Sequence, residues 1–398
     1  MLKLLKNNME FRKFWLAITI STIGDFVDDI AFAQLVYLVT GSTLLTSYVF
    51  AIKIICSFMS VFTSTFVDRH RKKNILGLSF LLQGITLVVL YTLCSIGKVN
   101  TIILLAVVTL QSVFSSFVVP TKNAMIAMIV DKNDIVDARA SMSIVSSIVE
   151  LCSYALSGAI IATIGINYEI LLDALTFFIS ILFIMFVVEK KENDINISKN
   201  FFEDVSEGFK FILTDKIILV VVLVTFIGNA AMSPVDALMP AYINQSDLPV
   251  WSYSTFMILT SLGGLLGGVV VSFMQKKMKK NHILAIGFLA GSVGMTLMFI
   301  PKIEILFIAG MLIGISVSVV SVMNAVIIQL ETPKEMQARA FSFFSCVTYI
   351  ASPIGMVLAG GIGENKPMSL IFPIFGVIIL LAVIFSALLV KEKNAMAG

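Results

Sequence analysis

FWLAITISTIGDFVDDIAFAQLVYLV (Phe14–Val39) is a long apolar stretch with three aspartates, Asp25, Asp28 and Asp29, at its middle. At 1.5 Å per helical residue, a segment of this length spans a hydrocarbon core about 30 Å thick. Each carboxylate at the bilayer centre costs on the order of 2.5–3.5 kcal/mol. The i, i+3, i+4 spacing puts all three on one helix face. A chain that carries such a stripe through a membrane uses it to hold a cation, a proton, or both.

The rest of the chain is built for the same environment. Of 398 residues, 58% are hydrophobic and only 13% charged, with a mean hydropathy of +0.99. A soluble protein carries nearer 25% charged residues. The net charge of +3 is too small to suggest a nucleic-acid partner. Cys56, Cys94, Cys152 and Cys346 are scattered without metal or disulfide spacing and read as small hydrophobes. The first apolar run is long and acidic and lacks a small-residue cleavage site, which argues against a removable signal.

Windows of roughly 20 apolar residues predict an all-α integral membrane protein with helices near 14–39, 44–66, 74–96, 101–121, 138–164, 169–188, 217–243, 252–275, 282–300, 304–329, 336–362 and 369–390. The twelve spans divide into a six-helix bundle over 1–190, a cytoplasmic linker over 191–215, and a second six-helix bundle over 216–398. Within the polar interval, EDVSEGFKFILTDK (203–216) suggests an amphipathic helix lying on the membrane surface. Lysines and arginines gather at the N-terminus, the even-numbered loops, the central loop and the C-terminus. Only Lys98, Lys302 and Lys366 fall on the opposite side, and Lys53 lies within a span. The positive-inside bias therefore predicts a multi-pass cell-membrane protein with both termini cytoplasmic.

The halves repeat each other. Ile23-Gly24-Asp25 recurs as Ile227-Gly228-Asn229, and Lys72-Lys73-Asn74 as Lys279-Lys280-Asn281. Asn123-Ala124 recurs as Asn324-Ala325, and Ala138-Arg139-Ala140 as Ala338-Arg339-Ala340. Two parallel repeats with a site near the midplane is a transporter plan.

Over essentially its whole length the chain resembles the major facilitator superfamily. The loop Ser64-Thr65-Phe66-Val67-Asp68-Arg69-His70-Arg71-Lys72-Lys73 is similar to that superfamily's signature of Gly, three residues, Asp-Arg, then Gly and two basic residues. Ser64 and Arg71 replace its two glycines. FRKFWLAITISTIGDFVDDIAF (11–32), VYLVTGS (36–42) and LLDALTFFIS (171–180) resemble the macrolide-efflux and siderophore-exporter branch. That resemblance implies a secondary transporter that expels a small molecule, drug-like or metallophore, against a proton gradient. It also implies that Asp68, Arg69 and Arg71 form a cytoplasmic gating clasp. The branch's Gly-Pro antiporter signature in span 5 is reduced to Ser157-Gly158. Its counterpart in span 11, Ser352-Pro353-Ile354-Gly355, is fuller.

Depth arithmetic gathers the charges. Asp28 and Asp29 lie about 15 Å from the outer end of span 1, Lys53 about 13 Å down span 2, and Glu150 about 18 Å up span 5. Four carboxylates against one ammonium leave excess negative charge, so at least one acid carries a proton at rest. Lys53 is expected to pair with Asp28 or Asp29. Glu150 and the remaining aspartates would alternate between protons and a cationic or zwitterionic substrate. Asn229, matching Asp25 by the repeat, and Asp236, between Pro234 and Pro240, are further candidates for a cavity or gate. A plainer reading makes Asp25 and Asp173 packing residues, Asp28 and Asp29 a helix-specifying pair with Lys53, and Glu150 a permanently protonated contact.

No phosphate-cradling loop marks a primary pump, and His70 and His282 offer no pair for catalysis. An enzyme is not expected, nor is a cofactor or a resident metal. Rival readings on the same helices are a divalent metal-ion transporter, a nutrient uptake symporter and a lipid flippase. Nothing demands more than a monomer.

Overall fold

The computed structural model describes residues 2–131, 134–189, 212, 216–333 and 336–396. The amphipathic helix expected at 203–216 and nearly all of the linker lie outside that set, as does the side chain of Asp68. Every regular element among the described residues is an α-helix. In chain order they are α1 (Leu2–Asn7), α2 (Met9–Thr40), α3 (Thr43–Ser57), α4 (Met59–Arg69), α5 (Lys72–Ser95), α6 (Thr101–Ser115), α7 (Val118–Ile129), α8 (Ile135–Thr163) and α9 (Ile166–Met185). There follow α10 (Lys216–Met232), α11 (Pro234–Gln245), α12 (Trp251–Met274), α13 (Lys280–Leu297), α14 (Ile303–Glu331), α15 (Gln337–Gly363) and α16 (Met368–Met396). Among the described residues, eight stretches are long and apolar enough to cross a membrane, and Thr43–Ser57, His282–Leu297 and Met368–Ile384 are shorter apolar helices.

Three expected spans are each two helices. Span 2 breaks at Phe58, whose N–H bonds back to the Ile55 carbonyl at 3.1 Å instead of continuing the α-helical ladder. Span 4 breaks between Ser115 and Val118 because Pro120 has no N–H for the Ser116 carbonyl. The Thr63 hydroxyl donates to that freed oxygen at 3.0 Å, which ties α4 to the break between α6 and α7. Span 7 breaks before Pro234, which starts α11 where its missing N–H costs nothing. Span 4 also runs on to Ile129, well beyond the expected end at 121.

The chain forms two compact units, Met1–Gly41 with Ile52–Ile197, and Ser42–Ala51 with Ser198–Gly398. The first turns of α3 group with the second unit because of Glu364, just past α15. Its carboxylate accepts the Ser42 hydroxyl at 2.6 Å, the Leu44 N–H at 2.9 Å and the Thr43 hydroxyl at 3.3 Å. Thr43 also donates to the Gly360 carbonyl at 2.8 Å. Elsewhere in the second unit, α12 and α14 meet backbone to backbone. A Cβ on Gly263 or Gly267 would strike the carbonyls of Met311 or Ile315, and one on Gly314 would strike that of Thr260. Small residues four apart allow this approach, as in other membrane helix pairs.

Two tests follow from this packing. Gly314→Ala should lower the melting temperature in detergent by the equivalent of about 1–3 kcal/mol, because neither backbone can yield; an unchanged transition would contradict the close contact. The Ser42 hydroxyl and the Leu44 N–H hold the Glu364 carboxyl below its ordinary range. The contact therefore contributes at and above the ordinary pKa and is lost as pH falls through the depressed one. Wild type should melt above Glu364→Gln by about 1 kcal/mol at pH 7, and the gap should close in acid.

Candidate functional site

Asn8 starts α2 by accepting the Phe11 N–H at 2.9 Å, and Gly41, at φ 63°, ends it. Between these caps the helix runs unbroken through Asp25, Asp28 and Asp29. From α3, Lys53 reaches both of the last two, donating to Asp28 Oδ2 at 2.9 Å and Asp29 Oδ1 at 3.1 Å. One ammonium thus bridges two carboxylates, where a single pair was expected. Its Nζ also stands 5.2 Å from the centre of the Phe32 ring, a cation–π distance. The Asp29 side chain stays 43% exposed and that of Asp28 only 15%. Asp25 is exposed too. A carboxylate in a span avoids lipid and turns to a watered cavity or to protein.

The acids do not stop at α2. Gly24 faces α9, and a Cβ there would collide with Asp173 Oδ1 and Thr176 Oγ1. That glycine lets Asp173 lie against the α2 backbone, 2% exposed, within electrostatic reach of Asp25, Asp28, Lys53 and Glu169. Thr176 donates to Asp173 Oδ1 at 3.4 Å, while Oδ2 has no partner among the described residues. Glu169, one turn earlier on α9, is fully buried, and neither of its oxygens is bonded among those residues. Ser157 of α8 lies alongside without completing a hydrogen bond. Five acids from two helices therefore gather around Lys53, which bonds two of them. An ionised carboxylate buried without a partner costs several kcal/mol, so this site has room for protons or for a bound cation.

Glu169 escaped the sequence reading because it sits in the first turn of a span, where an acid favours the helix N-terminus anyway. Its signal was the i, i+4 pair with Asp173, which puts two acids on one helix face. Glu150 stands half-buried on α8, next to Val149, and makes its own contacts. Asn229 is engaged within the second unit, its Nδ2 donating to the Thr348 carbonyl at 3.4 Å. Asp236 is exposed in the first turn of α11. Arg69 and Arg71 are exposed at the α4–α5 turn, where Phe66 stacks on His70 at 4.1 Å between ring centres. Lys73 is more than a surface anchor: its N–H bonds to the Glu189 carboxylate and its Nζ reaches the Val187 carbonyl at 3.1 Å.

Lys122 corrects another expectation. It belongs to α7 inside span 4, not to the following loop, because the helix continues through Thr121-Lys122-Asn123 while Lys122 and Asn123 face a cavity. That cavity, of ≈ 320 Å³, lies among α2, α7 and α8. Lys122 acts electrostatically on Asp25. Among the described residues no three His, Cys, Asp or Glu side chains converge as metal ligands do.

The family model described as transmembrane secretion effector matches residues 5–397. The chain belongs to this family of major facilitator transporters. Like its relatives and structural neighbours, it is a membrane transporter and not an enzyme. It is 22% identical to macrolide efflux protein A of Streptococcus pyogenes over 79% of each chain. It is 23% identical to the MFS-type transporter YfmI of Bacillus subtilis over 94% of this chain and 95% of that one. Among solved structures, the nucleoside transporter NupG superposes with a TM-score of 0.78 at 13% identity, over 95% of this chain and 99% of that one. A bacterial homologue of the iron transporter ferroportin, in an inward-facing state, gives 0.74 at 16% identity over 96% and 98%. At these identities the structural likeness speaks to the fold.

The double bridge can be tested in this transporter by removing its cation. Lys53→Met should destabilise the purified protein by at most about 3 kcal/mol, since Asp29 keeps access to water. Lys53→Met with Asp28→Asn should recover part of the loss. Additive effects in thermal unfolding would contradict the pairing.

Proposed function

We propose that this transporter exports a small amphipathic molecule, cationic or zwitterionic, in exchange for protons, by alternating access of two six-helix bundles with both termini cytoplasmic. The observation that carries the reading is the excess of acid around Lys53: Asp25, Asp28 and Asp29 on α2 with Glu169 and Asp173 on α9. Such a cluster binds either protons or an organic cation, and the two compete for the same oxygens. Protons arriving from outside neutralise the acids and weaken the hold on the substrate, which leaves. Release of those protons to the cytoplasm restores the carboxylates for the next molecule. The efflux names of the relatives support the export direction, and the close fit of Asp173 against Gly24 explains how two helices form one titrating unit.

Proteoliposomes with an imposed pH gradient, screened against macrolides and zwitterionic amines, test this reading. Asp25→Asn, Asp28→Asn, Glu169→Gln and Asp173→Asn should each cut gradient-driven transport by about tenfold or more, the scale of a coupling free energy of 1–3 kcal/mol. Downhill exchange should suffer less. Full gradient-driven transport in all four variants would refute the coupling.

A further inference from the structure

The polar cavity among α2, α7 and α8 sits beside the acid cluster and carries the opposite charge. Lys122 and Arg139 both line it, together with hydroxyl groups from Thr19, Ser143, Ser146 and Ser147. Among the described residues no acid lines it, and no ion pair is recorded there for either cation. Two like charges that face one cavity, with hydroxyl donors around them, favour an anion between them. Lys122 is not a surface anchor. It stands seven residues before the end of α7 at Ile129, about 10 Å along the helix.

The internal repeat shows what the fold itself requires at these positions. Aligned on Gly24/Gly228, Asn123/Asn324 and Arg139/Arg339, the second half places Met323 where the first has Lys122, and Met323 is 2% exposed. Leu223 and Phe226 replace Thr19 and Thr22, while Phe343, Cys346 and Val347 replace the three serines. Phe343 and Val347 pack there against the apolar cluster around Val222 and Ala340. The exchange runs the other way at Met142/Ser342, Val145/Ser345 and Val149/Tyr349. The second repeat keeps the arginine and the asparagine, as Arg339 and Asn324, but packs apolar side chains where the first has Lys122 and most of its hydroxyl groups. Packing does not call for Lys122.

We infer that this cavity is an anion subsite, in which Lys122 and Arg139 receive the carboxylate or phosphate of a substrate whose amine faces Asp25. The substrate class is then small zwitterions, with the two charges held on neighbouring faces of α2. A volume of ≈ 320 Å³ suits a charged substituent and its immediate frame, at the small end of ligand pockets. This assignment rests on the exporter reading for the amine side only, because anion binding can be measured without transport.

The full chain, purified and placed in phosphatidylcholine nanodiscs, is titrated with benzoate, with inorganic phosphate and with neutral benzamide, and binding is read by calorimetry. Wild type should bind both anions saturably and benzamide not at all. Lys122→Met, which installs the residue of the second repeat, should weaken anion binding about tenfold or more while melting like wild type. Arg139→Gln should weaken it as well, and Asp25→Asn should leave it intact or strengthen it. Absence of saturable anion binding in wild type, or equal binding in Lys122→Met, overturns the inference. So does loss of binding in nanodiscs containing phosphatidylglycerol, which would assign the cavity to a lipid headgroup. A protein that binds anions yet ignores a pH gradient would sink the coupling scheme and spare the subsite; the reverse result would do the opposite.

Discussion

The excess of carboxylates over the ammonium of Lys53 is the constraint on which the first unit turns. Lys53 can satisfy two of them, and it does so at 2.9 and 3.1 Å. The remaining acids, above all Glu169 with both oxygens unbonded among the described residues, must find protons or a cation from elsewhere. A protein that needed only to hold α2 against α9 would do better with apolar side chains of similar size, since buried charge is a poor source of stability. The cost is tolerable if the site spends its cycle exchanging occupants. Excess charge is then the working part of the site.

The surrounding scaffold brings backbones close where charges or hydroxyl groups must meet. Gly24 admits Asp173, just as Gly314 admits Thr260 in the second unit. Broken spans serve the same end. Pro120 frees the Ser116 carbonyl, and Thr63 takes it up, so a defect in one helix becomes a contact with another. The repeats share this plan but differ in polarity. Acids and cations collect in the first, while in the second Asn229 and Asn324 spend their polar groups on neighbouring helices. The clustered acids described above thereby belong to the first unit.

Much of this was legible before any coordinates. Hydropathy announced the apolar helices, and the i, i+3, i+4 acids with a lone lysine in the next span pointed to their pairing. Three features were hidden, for physical reasons. Glu169 looks like an ordinary first-turn acid until its neighbours across the helix interface are known. Lys122 looks like a loop lysine because hydropathy cannot distinguish a helix that ends from one whose polar face turns to a cavity. The break at Phe58 depends on a single hydrogen-bond shift and has no proline to betray it.

The most direct measurement is proton release on substrate binding, followed with a pH indicator in weakly buffered detergent solution near neutral pH. A transported amine should displace protons in proportion to the protein it occupies, and the signal should shrink when Glu169→Gln and Asp173→Asn are combined. Tight binding with no proton released from the unmodified protein would contradict the account, because the carboxylates around Lys53 would then not be exchanging one positive charge for another.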